Sequence, residues 1–86
     1  MDVLAKDEDP DIRDAVARNP NTSGEALAIL ARDEWTPIRL SVATNYNTFS
    51  ETLLKLVMDE NAFVSEFAMN NANTSLDTAR EILGVS

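Results

Sequence analysis

Asn19-Pro20-Asn21-Thr22 returns as Asn45-Tyr46-Asn47-Thr48 and again as Asn71-Ala72-Asn73-Thr74, each copy 26 residues after the last. In that register the chain divides into repeats at 4–29, 30–55 and 56–81, with flanks at 1–3 and 82–86. Six columns are identical in all three copies: Leu4/Leu30/Leu56, Asp7/Asp33/Asp59, Glu8/Glu34/Glu60, Asn19/Asn45/Asn71, Asn21/Asn47/Asn73 and Thr22/Thr48/Thr74. A fixed period in this range signals stacked units, each burying its apolar face on its neighbours. The expectation is one repeat domain over residues 1–86, an all-α helical solenoid.

Each repeat reads as two helical segments. The first opens at Asp9-Pro10 in repeat one and at Thr36-Pro37 in repeat two. An Asp or Thr N-cap followed by proline is a start signal, because proline's missing N–H costs nothing there. On this reading the entry slips by one column between repeats. Ile12, Ala15 and Val16 then follow the i, i+3, i+4 spacing of one helix face, matched by Ile38, Ser41, Val42 and by Val64, Phe67, Ala68. The segment spans about two to three turns, as a short α-helix or partly as 3₁₀.

The asparagine stretch follows as a turn, since asparagine tolerates left-handed dihedrals and bonds nearby backbone. Thr22 with Glu25 and Thr48 with Glu51 read as capping boxes for the second segment, with Thr74 and Asp77 a shorter version. The second segment is expected to be an α-helix. It buries Leu27, Leu30 and Ala31, then Leu53, Leu56 and Val57, then Ala79, Ile82 and Leu83, and Gly84 closes the last copy. Ahead of repeat one only residues 1–6 stand in for such a segment. That predicts a poorly covered face near Val3, Leu4, Ile12 and Val16.

The stretch Val16-Ala17-Arg18-Asn19-Pro20-Asn21-Thr22, then Glu25-Ala26-Leu27-Ala28-Ile29-Leu30-Ala31-Arg32-Asp33, then Ile38-Arg39 and Val42-Ala43, resembles the variant leucine-rich repeat family. The resemblance is strong in repeat one, good in repeat two and thin in repeat three. It implies a right-handed superhelix of alternating α- and 3₁₀-helices, related to bacterial repeat proteins with no shared catalytic motif. An ordinary leucine-rich repeat also allows this period. Its strand needs alternating apolar residues, and the spacing here is helical.

Composition narrows the function. Without cysteine or histidine there is no thiolate or imidazole metal site, and no Ser–His or Cys–His chemistry. A net charge of −8 disfavours direct nucleic-acid binding. The start carries no basic, apolar leader, and no apolar run is long enough for a bilayer, so a cytoplasmic location is expected. The Asp7–Asp11 stretch fails as a calcium loop, with Ile12 and Arg18 where glycine and glutamate are required. No cofactor, metal or catalytic residue is expected.

The asparagine rows either line a groove or satisfy turn backbone, and the second role accounts for their position. The Asp-Glu row either forms an acidic ridge or flanks helix starts, where negative charge is favoured by about 0.3–1 kcal/mol. Arg13 and Arg39 either pair with that row or form a basic stripe. Trp35 stands four residues before Arg39, within cation–π reach, and Tyr46 replaces the proline of repeat one. If a partner site exists, Trp35, Arg39, Tyr46 and Arg13 are its candidates, since interface energy concentrates in such residues. The expected function is a non-enzymatic protein- or peptide-binding module. The alternatives are a self-assembling repeat unit or piece of a longer array, and an acidic mimic occupying a basic, nucleic-acid-binding surface of another protein.

Overall fold

The computed structural model describes residues 3–74. A 3₁₀ turn, Leu4–Lys6, is followed by five α-helices: α1 (Pro10–Arg18), α2 (Gly24–Leu30), α3 (Thr36–Thr44), α4 (Ser50–Val57) and α5 (Ala62–Asn70). No strand occurs among the described residues. The expectations for Asp77, Ala79, Ile82, Leu83 and Gly84 lie outside them.

Helices α1, α3 and α5 each run nine residues as full α-helix. The α/3₁₀ alternation that the resemblance implies is therefore corrected: 3₁₀ geometry is confined, among the described residues, to Leu4–Lys6. The entries also stay in register. The N-caps are Asp9, Trp35 and Asn61, with φ of −81, −88 and −84° and ψ of 115, 116 and 124°. Thr36 is the first helical residue rather than the cap, and Pro37 sits one place deeper. Trp35 has no capping side chain, so stacking register rather than local preference fixes the start there.

Two further local expectations are corrected. The C-caps Asn19, Asn45 and Asn71 have extended backbone, ψ 123 to 136°, not left-handed. Thr22 and Thr48 are not N-caps, because α2 starts after Ser23 and α4 after Phe49. The Ser23 hydroxyl accepts the Ala26 N–H at 3.2 Å. The threonines turn back instead: Thr22 Oγ1 donates to the Val16 carbonyl at 2.6 Å and Thr48 Oγ1 to Val42 at 2.7 Å. Each ties off the end of the preceding helix, and both side chains are fully buried.

The first helices form one packed row, α1 on α3 on α5, and each second helix bridges to the helices on either side of it in sequence. The core is Leu27, Leu30, Ile38, Val42, Leu53, Leu56 and Val64, with Ala17 and Ala43 allowing close approach. Ala15, Ser41 and Phe67 lie outside it, against the expected i+3 pattern, because the row buries the columns of Val16 and Ala17 instead. Burial also changes along a column. Ile12 is 38% exposed and Leu4 46%, whereas Ile38 and Leu30 are each 1% exposed. Val16 is buried, which removes it from the uncovered face.

Candidate functional site

Most of the polar columns are spent inside the chain. Asp33 Oδ1 accepts the Trp35 N–H at 3.0 Å, as Asp7 does for Asp9 and Asp59 for Asn61. The same carboxylates receive arginine from the preceding repeat. Arg13 Nε donates to Asp33 Oδ2 at 2.7 Å and Arg39 Nε to Asp59 Oδ2 at 2.8 Å. Arg13 Nη1 reaches back to the Asp7 and Glu8 carbonyls, and Arg39 Nη1 to the Asp33 carbonyl. Each guanidinium thus clasps two successive loops with the geometry of a fork on a carboxylate. The hydrogen bond to Asp33 holds the Arg13 guanidinium above its ordinary pKa; partial desolvation opposes this, and the charges of Asp33, Glu34 and Asp7 add to it. Arg13 and Arg39 stand in these clasps with about a tenth of each side chain exposed, and they form no basic stripe.

The asparagines form a ladder. Asn45 Nδ2 donates to the Ala17 carbonyl at 2.9 Å and the Asn19 carbonyl at 3.0 Å, and Asn71 repeats both bonds to Ala43 and Asn45. In the second row Asn47 donates to the Pro20 and Thr22 carbonyls, and Asn73 to those of Tyr46 and Thr48. The other end of each first-row carboxamide accepts the N–H two residues on. The rows therefore lock turn to turn.

Of the four sequence candidates, Trp35 and Tyr46 remain open to solvent, 49% and 81% exposed, on opposite edges of the α1–α3–α5 row. Trp35 precedes α3, while Tyr46 follows it. The Arg39 guanidinium is directed to Asp59 and the Asp33 carbonyl. Tyr46 separates two clefts related by the repeat. One, of about 260 Å³, is lined by Arg18, Pro20, Thr44 and Tyr46. The other, of about 250 Å³, is lined by Thr44, Tyr46, Asn70 and Ala72. Phe67 borders the second.

A larger cleft, about 540 Å³, opens between α2 and α4. Its walls carry Arg32 and Lys55, residues that sequence reasoning did not single out. The available signal was subtraction: once Arg13 and Arg39 are assigned to aspartates and Arg18 to Asp14 at i,i+4, the side-chain cations left among the described residues are Lys6 in the 3₁₀ turn, Arg32 just after α2 and Lys55 in α4.

Among the described residues no group of His, Cys, Asp and Glu is arranged to hold a metal ion. No helix among them is long and apolar enough to cross a membrane.

Residues 10–34 match the leucine rich repeat variant family. The matched span covers α1, the asparagine turn, α2 and the Asp33-Glu34 loop, so it holds one whole unit, and the helical structure is consistent with it. No curated protein and no solved structure matches the chain.

Proposed function

We propose that the chain is a non-enzymatic scaffold, a right-handed solenoid of three helical repeats whose surface binds another protein or a peptide. The observation that carries this reading is the division of labour among its side chains. Asparagines, Arg13 and Arg39 tie repeat to repeat, and the threonines tie off helix ends within each repeat. Large apolar groups, Trp35, Tyr46, Met58 and Phe63 among them, face solvent. Exposed aromatics on a frame held rigid by internal polar bonds are the anchors that protein interfaces use. The family match at residues 10–34 supports a repeat module of this kind.

The test is affinity capture with the intact chain and with Trp35→Ala and Tyr46→Ala, all checked for unchanged helicity. One protein recovered by the intact chain and lost with either variant supports the reading. Equal recovery by all three contradicts it at these surfaces.

A second reading, self-association through the N-terminal end, draws on the exposure of Leu4 and Ile12 beside their buried counterparts. Solution mass across a concentration range separates the two. A stable dimer split by Leu4→Asp favours self-association, and a monomer at high concentration favours a different partner.

A further inference from the structure

The chain carries 15 acidic and 7 basic residues, so a surface depression taken at random should be rimmed by carboxylates. The cleft between α2 and α4 departs from that expectation. Arg32 and Lys55 line it, both exposed, and neither makes an ion pair among the described residues. The one carboxylate on its wall, Asp59, is already held by Arg39 at 2.8 and 3.4 Å and by the Asn61 N–H at 2.9 Å. The floor is apolar, built from Ala28, Ile29, Ala31 and Leu56. The volume of about 540 Å³ lies in the range of sites that take a side chain or a short segment.

We propose that the α2–α4 cleft docks an acidic peptide segment, with an apolar side chain on the Ile29–Leu56 floor and carboxylates on Arg32 and Lys55. This rests on the protein-binding reading and names the chemistry of the partner. Each half of the site needs the other. A free anion would leave the apolar floor unused, and an uncharged apolar peptide would leave two cations unanswered. A nucleic acid would bring phosphates against a chain of net charge −8. An acidic peptide meets that repulsion elsewhere on the surface, so the local field directs it to the cleft, and charge complementarity supplies specificity.

The experiment is a ¹H–¹⁵N titration of the full chain at low salt. The probe is an acetylated, amidated peptide of alternating leucine and aspartate. Its control has asparagine in place of aspartate. The expected result is shifts at the amides of Ala28, Ile29, Arg32, Lys55 and Leu56, and affinity that falls as salt is added. The asparagine peptide, Arg32→Glu and Lys55→Glu should each weaken binding by about tenfold. Both substitutions are on exposed side chains, and helicity should be unchanged. Absence of shifts up to about 1 mM peptide overturns the assignment. So does equal affinity in the charge-reversed variants. Shifts confined to Trp35 or Tyr46 also overturn it, while leaving protein binding itself standing. Equal recovery by the intact chain and the Trp35 and Tyr46 variants in affinity capture bears on the earlier reading alone.

Discussion

The carboxamide of Asn45 donates to the backbone carbonyl of Asn19, 26 residues earlier, at 3.0 Å, and Asn71 makes the same bond to Asn45 at 3.0 Å. One identical residue thus acts as donor to the unit before it and as acceptor for the unit after it. A carboxamide bonded to two carbonyls of the neighbouring unit adds to helix packing in fixing the register, because a displacement leaves buried polar groups unpaired. No buried side-chain polar atom lacks a partner among the described residues.

The threonine column makes its own prediction. Thr48→Val keeps the shape of a fully buried side chain but removes the donor to the Val42 carbonyl. The loss should be about 1–2 kcal/mol in urea denaturation. The far-UV spectrum of the native state should be unchanged.

Burial along one column predicts unequal effects of one substitution. Ile38→Ala should cost about 2–5 kcal/mol, since it opens a cavity in the core. Ile12→Ala, at a partly solvated copy of the same position, should cost less than half as much. Equilibrium unfolding of the pair checks this.

The arginine clasps should outweigh the surface ion pair. Arg39 and Asp59 are 11% and 10% exposed, whereas Arg18 and Asp14 are 68% and 30% exposed. Arg39→Lys removes the fork and should cost about 1–3 kcal/mol. Arg18→Ala should cost no more than about 0.5 kcal/mol. Added salt should erase the second effect and leave most of the first, as a denaturation series at rising ionic strength would report.

Gly24 lies under the Phe49 ring, and a Cβ there would collide with the far end of that ring. Gly24→Ala gains helix propensity of up to about 1 kcal/mol but displaces the ring, so the net change should be small. With Phe49→Ala already in place, Gly24→Ala should stabilise by about 0.5–1 kcal/mol. A double-mutant cycle reads the coupling directly.

The helices, their number in each unit and the thin cover over Leu4 and Ile12 follow from the period and the apolar spacing. What did not follow shares one cause: the partner lies a repeat away. Asn45 looks like a turn residue because its carbonyl partners are Ala17 and Asn19, outside any local window. Arg13 leaves a stripe or a pair open because Asp33 is 20 residues on. Thr36-Pro37 is the better local cap, yet the stack starts α3 after Trp35. Arg32 and Lys55 occupy unrelated columns, and only the separation of α2 from α4 brings them to one cleft.

The most direct test is equilibrium denaturation of Asn45→Ala beside Asn19→Ala. Both remove the same bond within the turn, to the N–H of Asn47 or Asn21. Only Asn45 also loses bonds to the unit before it. If the asparagine ladder holds the units together, Asn45→Ala should cost about 2–4 kcal/mol and Asn19→Ala about 1 kcal/mol. Equal losses from the two substitutions would contradict the account.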